Sequence, residues 1–192
     1  ALCEAGATVI IASRNKGKCV EFAKTLSDKG FKAEGMELDQ SSESSIITFV
    51  KATIEKYKHI DILVNNSVLR TKNMNLEDVT EEELLEVTQV NTIGLMQISR
   101  EVVKHMRNQN SGSIINISSI QGAVGPNFTV YGDTGMSSPV NYSYEKWGMI
   151  GLTKWMANFY GKYNIRVNSI SPGGYAEGER DENNEFVRNY KK

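Results

Sequence analysis

A tyrosine and a lysine four residues apart form the pair in this sequence that is best suited to acid–base chemistry. Tyr142 and Lys146 lie in a segment of helical periodicity, where this spacing puts both side chains on one helix face. A cation beside a phenol favours the ionised phenolate, so the phenol could exchange a proton closer to neutral pH. Because such a spacing also recurs by chance, its meaning depends on the residues that the fold brings to this pair.

Polar or small residues follow three of the predicted strands at the point where each strand ends. They are Asn65-Asn66-Ser67, Ser118-Ser119 and Ser171-Pro172-Gly173-Gly174. In parallel sheets, ligands bind at the carboxyl ends of the strands, so these segments predict one shared crevice. The alternative is that each segment is an ordinary strand-terminating turn.

The elements that must position these residues alternate between strand and helix. Runs rich in β-branched residues predict strands at residues 7–12, 31–38, 60–65, 113–118 and 165–170. Amphipathic segments predict helices at residues 16–29, 42–57, 80–107 and 141–163, and Thr80 with Glu83 forms a capping box for the third. Strands separated by such helices imply right-handed crossovers. We therefore predict an α/β fold, a doubly wound parallel sheet in a single domain over residues 1–192.

The composition argues against several classes of protein. The net charge of −1 gives no general field to attract nucleic acid or an anionic membrane. Cys3 and Cys19 lack a CxxC spacing, and His59 and His105 stand alone, so neither a disulfide framework nor a metal site is expected. No apolar run approaches the roughly 18 residues of a membrane span, and no signal peptide is recognisable. These features predict a cytoplasmic protein.

Six ordered motifs are highly specific when they occur together. They are Asp61-Ile62-Leu63-Val64-Asn65-Asn66, Asn91 in the third helix, Asn116-Ile117-Ser118-Ser119, Asn141-Tyr142-x-x-x-Lys146, Gly151-Leu152-Thr153-Lys154 and the segment from Ile165 to Gly173. With these motifs the sequence resembles the short-chain dehydrogenase/reductase family. The resemblance implies a Rossmann-like fold and an NAD(P)-dependent oxidoreductase that interconverts a secondary alcohol and a ketone. Members of the family commonly form homodimers or homotetramers.

The resemblance implies four catalytic residues. Tyr142 would exchange the proton of the substrate oxygen, and Lys146 would hold the nicotinamide ribose hydroxyls and favour ionisation of the phenol. Ser119 would hydrogen-bond the substrate carbonyl, and Asn91 would hold a water that links Lys146 to a proton relay. The alternatives are a serine that bonds its own turn and an asparagine that bonds backbone in a helix kink. Tyr131 is a rival for the acid, but a glycine rather than a lysine stands four positions after it.

The end of the second Rossmann strand bears on the choice of cofactor. An acidic residue there bonds the adenosine ribose of NAD, whereas arginine accommodates the 2′-phosphate of NADP. Ser13 stands at the acidic position and Arg14 follows it, which predicts NADP. NAD is the alternative if Arg14 only stacks on adenine, and Asp39 matches an adenine-contacting aspartate of the family. The predicted cofactor-binding set is completed by Leu38, Asn65, Asn66, Tyr142, Lys146, Pro172 and Gly173.

Parts of the sequence resemble one branch of the family and others depart from its pattern. Segments 124–128, 161–166 and 171–174, with a long insertion at residues 127–140, are similar to bacterial members associated with surface-sugar and flagellin modification. This similarity implies a sugar-like or polyol substrate. A 3-oxoacyl thioester reductase and a non-catalytic nucleotide-binding relative stay open. Ser67-Val68 replaces the family's Ala-Gly after the paired asparagines, so the backbone there could differ.

The first residues predict that the chain begins inside a domain. Ala1 to Ala5 resembles the end of a helix that Gly6 would close, and no methionine precedes it. We expect the chain to lack the Gly-rich strand and turn that would hold the cofactor pyrophosphate, and also the C-terminal end of the domain. The missing strand would be central in the sheet, so the fragment as given is expected to be inactive.

Overall fold

A computed structural model describes residues 1–174 and 184–191, in which strands and helices alternate as the sequence predicts. The strands are β1 (Val9–Ser13), β2 (Ala33–Glu37), β3 (Ile62–Asn65), β4 (Gly112–Ile117) and β5 (Ile165–Ile170). The helices are α1 (Lys16–Ser27), α2 (Glu43–Tyr57), α3 (Glu81–Thr88), α4 (Leu95–Gln109), α5 (Val140–Tyr160) and α6 (Glu185–Tyr190). All strand pairs in the described part of the chain are parallel, which confirms the predicted α/β class.

The chain divides into two compact units, of which the first comprises residues 1–60 and 93–105. Its sheet pairs β1 with β2, in a register that sets Val9 opposite Ala33. A methyl group at Gly35 would lie 2.3 Å from the backbone of Cys19, so the glycine lets α1 pack directly on β2. The buried apolar side chains of this unit are Cys19, Ala23, Ile46, Val50, Leu95, Ile98, Val102 and Val103.

The second unit comprises residues 61–92 and 106–192. Its sheet has the order β3-β4-β5, with Ile114 of β4 paired to Leu63 on one side and Val167 on the other. The central position of β4 explains why Ile114 is fully buried, and such a side chain contributes about 1.5–3 kcal/mol to folding. The other buried apolar side chains of this unit are Val87, Met106, Met149, Met156, Ile165, Val167 and Val187.

The third predicted helix begins as expected but is not continuous. The Thr80 hydroxyl accepts from the Glu83 amide at 3.2 Å and the Glu83 carboxylate accepts from the Thr80 amide at 3.1 Å, which confirms the capping box. The prediction of one α-helix over residues 80–107 was wrong, because a π-helical turn at Gln89–Gly94 separates α3 from α4. Asn91 lies inside this turn and bonds to backbone outside the helix, which favours the irregularity.

In the part of the chain that the structure describes, each sheet has two end strands with one unpaired edge. There β1 and β2 pair only with each other, and β3 and β5 each pair only with β4. Ile62 and Val64 of β3 remain 44 % and 37 % exposed, which is unusual for a parallel strand. The single domain over residues 1–192 stays a prediction. Among the described residues, none of the helices combines the length and the apolar character that crossing a membrane requires.

Candidate active site

The second unit brings the predicted acid–base pair together at the carboxyl end of β4. Tyr142 and Lys146 both lie on α5, and the Lys146 ammonium is 5.6 Å from the centroid of the Tyr142 ring. The same ammonium donates a hydrogen bond of 2.6 Å to the carbonyl oxygen of Ile117, the last residue of β4. An ammonium has three hydrogens, so two stay available for a ligand.

Lys146 is only 4 % exposed, which is rare for a lysine. Burial lowers the pKa of Lys146 because a charged ammonium loses its hydration. The neighbouring Glu145 carboxylate opposes this effect, and the positive charge of Arg70 adds to it. After burial, the pKa of Lys146 is thus influenced by two residues that the sequence motifs did not single out, Glu145 and Arg70.

Ser119 lies two residues beyond Ile117, where β4 gives way to a short turn of 3₁₀ helix at Ile120–Gly122. Its hydroxyl oxygen accepts from the Gln121 amide at 3.1 Å, so the serine does bond its own turn. Among the described residues, nothing accepts the hydroxyl hydrogen, which could still be donated to a ligand. A methyl group at Gly122 would lie 2.7 Å from the Lys146 carbonyl oxygen, so glycine lets this turn approach α5.

The side chain of Asn91 forms hydrogen bonds with other residues of the protein. Its carbonyl oxygen accepts from the Leu69 amide at 2.8 Å, while its amide donates to the Leu69 carbonyl at 2.7 Å and to the Glu145 carboxylate at 2.6 Å. Both amide hydrogens are engaged, so only a lone pair of the side-chain oxygen is left for a water. This arrangement matches the alternative in which the asparagine bonds backbone in a helix kink. A role of Asn91 in a proton relay stays a prediction.

A buried chain of hydrogen bonds joins two of the sequence motifs across the sheet. Asn65 donates to Asn116 at 2.8 Å, and Asn116 donates to the hydroxyl of Thr153 on α5 at 2.8 Å. Asn116 is fully buried, so its amide fixes the ends of β3 and β4 relative to α5. Asn66 is exposed at the end of β3 and stays a candidate for contact with a ligand.

The segment after β5 joins the same end of the sheet. The carbonyl oxygen of Pro172 accepts from the Ile120 amide at 2.9 Å, beside the turn that holds Ser119. Gly173 is exposed, and the amide of Gly174 donates to the Tyr190 hydroxyl at 2.6 Å. Pro172 and Gly173 thus reach the carboxyl end of β4, as the prediction of a shared crevice requires.

Arg70 was missed by the sequence analysis. Its guanidinium carbon lies 4.9 Å from the centroid of the Tyr142 ring, within the range of a cation–π contact. Arg70 is exposed and takes part in none of the ion pairs among residues 1–174 and 184–191. Its position five residues after Asn65, in the loop that leaves β3, was the only available signal.

Tyr131, the rival acid, belongs to a different cluster. It stacks on Phe186 of α6 with ring centroids 5.6 Å apart and contacts Phe128 at 6.1 Å. Its ring therefore helps to pack the insertion after Ser119 against α6. The placement favours Tyr142 as the acid.

The first unit gathers the residues predicted to bind the adenosine end of a cofactor. The Leu38 amide donates to the Ser13 carbonyl at 3.0 Å, which sets the carboxyl ends of β1 and β2 side by side. Asp39 accepts from the amide and hydroxyl of Ser41 at 2.9 and 2.7 Å, and these bonds hold its pKa below the ordinary value, with help from the charge of Arg14. Arg14 itself is exposed and forms none of the ion pairs among the described residues, so it fits a phosphate at this position.

Comparison with known proteins identifies relatives over nearly the whole chain. The sequence profile of the family described as short chain dehydrogenase matches residues 1–186. The chain is 34 % identical over 168 residues to a 3-oxoacyl-[acyl-carrier-protein] reductase of Thermotoga maritima, covering 88 % of this chain and 64 % of that protein. It is 32 % identical over 188 residues to post-translational flagellin modification protein A of Campylobacter coli, covering 95 % and 72 %.

A solved structure agrees with the fold. Gluconate 5-dehydrogenase from Burkholderia cenocepacia, in complex with NADP and tartrate, matches with a TM-score of 0.78 at 27 % identity. The match covers 92 % of this chain and 65 % of that one, which confirms the predicted Rossmann-like fold. The chain spans somewhat less than two thirds of the length of this enzyme and of the Thermotoga reductase.

Proposed function

Because this chain belongs to the short-chain dehydrogenase family, we propose that the whole protein is an NADP(H)-dependent oxidoreductase that interconverts a secondary alcohol and a ketone. The observation that carries the proposal is the Lys146 ammonium, which bonds Ile117 two residues before Ser119 and lies 5.6 Å from the Tyr142 ring. A non-catalytic relative would not need a buried lysine, a tyrosine and a serine together at one strand end.

The proposed reduction divides the work among three side chains. A nicotinamide cofactor, when bound, would supply the hydride for the carbonyl carbon. Tyr142 gives its phenolic proton to the carbonyl oxygen, and the Lys146 ammonium stabilises the phenolate that remains. Ser119 donates its hydroxyl hydrogen to the same oxygen and so stabilises the negative charge that develops there. Lys146 would also hold the ribose hydroxyls with the hydrogens that Ile117 does not use.

We propose NADP rather than NAD because of two residues of the first unit, Ser13 and Arg14. Arg14 is exposed next to the end of β1, and position 13 carries a serine where a carboxylate would repel a phosphate. Solved relatives of this chain bind either cofactor, so they support a nicotinamide cofactor and the choice of NADP rests on Ser13 and Arg14. NAD remains the alternative if Arg14 acts only by stacking.

For the substrate we propose a sugar-like or polyol compound, and more narrowly one that carries a carboxylate. The similarity to gluconate 5-dehydrogenase and to a flagellin modification protein supports a sugar-like compound. Arg70 supports the carboxylate, since an exposed guanidinium over the Tyr142 ring would bind an anionic group of a substrate that reaches the phenol. A 3-oxoacyl thioester is the second candidate, favoured by the similarity to the Thermotoga reductase.

The proposal extends to the assembly of the protein and to the activity of residues 1–192 by themselves. We propose a homodimer or homotetramer in the cytoplasm. We also infer that residues 1–192 alone turn over no substrate, because Ile62 and Val64 of β3 are 44 % and 37 % exposed beside an unpaired strand edge among the described residues.

The test uses the whole protein with NADPH and three ketones: a keto sugar acid, the neutral ketose of equal chain length, and a 3-oxoacyl thioester. We expect the keto acid to have the highest kcat/KM. The variant Arg70→Gln should reduce the preference for the acid over the ketose by roughly 10-fold or more, the value of one charge-assisted hydrogen bond. Lys72→Gln, an exposed cation of the same loop, is the control. Highest activity on the thioester would favour the second candidate, and no reduction of any ketone would refute the reaction class.

A further inference from the structure

Glu145 stands between the two residues of the acid–base pair and connects them to another part of the unit. One oxygen of its carboxylate, Oε2, accepts from the Asn91 amide at 2.6 Å and from the Asn141 amide at 3.1 Å. The other oxygen, Oε1, is buried and has no hydrogen-bond partner. The carboxylate thus lies inside the protein, although it follows an exposed residue, Tyr144.

The two asparagines whose amides donate to Glu145 also bond residues of the loop between β3 and α3. Asn91 bonds the amide and the carbonyl of Leu69. Asn141 accepts from the Thr71 hydroxyl at 3.0 Å. The two residues that flank Arg70 are therefore held by side chains that Glu145 holds in turn.

A buried carboxylate with an unbonded oxygen is costly, and natural proteins retain such groups mainly where they serve a site. Here the charge has an evident counterpart. Lys146 is the next residue and is only 4 % exposed, so the two charges are buried in the same part of the unit without forming a direct ion pair with each other. The charged or titratable groups that face this ammonium are Glu145 and Tyr142 from α5 and Arg70 from the loop after β3. Of these groups, Glu145 is the one that carries a carboxylate.

The electrostatic directions agree with this geometry. Burial raises the pKa of Glu145, and the two asparagine amides and the Lys146 charge oppose that rise. Burial lowers the pKa of Lys146, and Glu145 opposes that fall. Each group thus favours the charged form of the other.

We propose that Glu145 is a positioning residue of the active site, which holds Asn91 and Asn141 through one carboxylate oxygen and supplies the counter-charge of the buried Lys146 ammonium. The inference rests on the proposed function only where it assigns importance to the charge of Lys146. The proposal assigns a role to Glu145, a residue inside the Tyr-x-x-x-Lys motif. In this role Glu145 neither exchanges a proton with the substrate nor contacts it.

The two parts of the role can be separated by substitution. Glu145→Gln keeps an oxygen that can accept from both amides but removes the charge. Glu145→Asp keeps the charge but shortens the side chain, so that it no longer reaches the amides. Glu145→Ala removes both. Glu55→Gln, an exposed carboxylate beside Lys51 on α2, is the matched control.

The experiment measures the pKa of Lys146 in the whole protein by NMR of ¹³Cε-labelled lysine, with the signal assigned from Lys146→Arg. Thermal melts are recorded for every variant. We expect Glu145→Gln to melt near the wild type while the pKa of Lys146 falls, since the charge of Glu145 favours the charged form of the ammonium. The alkaline limb of the pH–rate profile should move down with it. Glu145→Ala should show the same fall and a lower melting temperature.

An unchanged pKa of Lys146 in Glu145→Gln would refute the counter-charge. A wild-type melting temperature in Glu145→Ala would refute the positioning. If Glu145→Gln does not fold, the pKa of Lys146 in Glu145→Asp and Glu145→Ala decides the charge, because only aspartate retains it. The NMR titration needs no substrate, so its failure is distinct from a failure of the proposed reaction, which would appear as loss of ketone reduction by the wild type.

Discussion

The Lys146 ammonium and the Ile117 carbonyl oxygen lie 2.6 Å apart, and this bond joins α5 to the end of β4. It consumes one of the three ammonium hydrogens and fixes the direction of the other two. The bond also places the lysine under the Tyr142 ring rather than in solvent. A lysine held in this way can donate hydrogen bonds to ribose hydroxyls on one side and stabilise a phenolate on an adjacent side.

Removal of either member of the acid–base pair should nearly abolish turnover. Tyr142→Phe and Lys146→Met in the whole protein are each expected to lower kcat by about 10²-fold or more, the usual effect of losing a general acid. Lys146→Met should also weaken NADPH binding, and more strongly than Tyr142→Phe, because it removes the ammonium that would hold the ribose hydroxyls. Steady-state kinetics and fluorescence titration with NADPH measure the two effects. Tyr131→Phe is the matched control, and near-normal turnover by Tyr142→Phe would show that the acid has been misassigned.

Arg14 should decide between the two nicotinamide cofactors. A charge-assisted hydrogen bond to phosphate contributes roughly 1.5–3 kcal/mol, so Arg14→Ala should raise the KM for NADPH by about 10-fold or more and leave the KM for NADH nearly unchanged. Lys16→Ala, an exposed cation two residues away, controls for the general loss of positive charge. Equal increases for both cofactors would indicate that Arg14 only stacks on adenine.

Glu83 should make the stability of the second unit depend on acid pH. Its pKa is lowered from the ordinary value of 4.5 to about 2, because it accepts from the amide of Thr80 and from the amide and side chain of Asn73. A lowered pKa contributes stability that is present above pH 4.5 and is lost as the pH falls toward 2. Glu83→Ala should therefore melt below the wild type at pH 7, and the difference should shrink below pH 4.

The neighbouring Glu82 provides the control for that experiment, since it is exposed in the same helical turn and has no part in the capping box. Thermal melts of Glu82→Ala and Glu83→Ala across the pH range give the comparison. A difference between Glu83→Ala and wild type that stays constant down to pH 2 would contradict the assignment.

The exposed aromatic residues of α5 predict self-association. Trp147, Trp155 and Phe159 are 54 %, 56 % and 46 % exposed, and the last two stack with centroids 4.9 Å apart. Surface of this kind is normally covered in an oligomer. Light scattering of the whole protein at micromolar concentration should give a dimer or tetramer, and Trp155→Glu should shift it toward monomer. Leu76→Glu, which changes an exposed loop leucine, should not, and a monomeric wild type would refute the prediction.

The sequence was sufficient for most of the elements, although not for α6, and for part of the candidate site. Buried β-branched runs and capping residues are local signals, so β5 and the start of α3 lie where they were predicted. The π-helical turn could not be predicted in this way, because the apolar periodicity continues through it. The turn is favoured by the bond of Asn91 to Leu69, which is 22 residues away in sequence.

The two unpredicted residues of the site were hidden for different reasons. Glu145 has an amide partner, Asn141, one helical turn before it, so the spacing offered a signal that the stronger Tyr-x-x-x-Lys motif concealed. Arg70 lies in a loop without periodicity, and only the path of that loop brings it over Tyr142. Loop geometry of this kind is determined by tertiary hydrogen bonds, here those of Leu69 and Thr71, which no local pattern encodes.

The π-helical turn at Gln89–Gly94 also limits how this protein can tolerate length changes during evolution. Such a turn corresponds to an α-helix that has gained a residue, and each residue of an α-helix rotates by about 100° around the axis. Loss of one residue between positions 89 and 94 would be absorbed as the turn becomes a regular helix, whereas loss of one residue between Leu95 and Gln97 would rotate the part of α4 that follows by that angle. Ile98 and Val102, which are now 2 % and 1 % exposed, would then leave the buried face, and charged neighbours would enter it. A single-codon deletion at the start of α4 should therefore be selected against far more strongly than one in the π-helical turn.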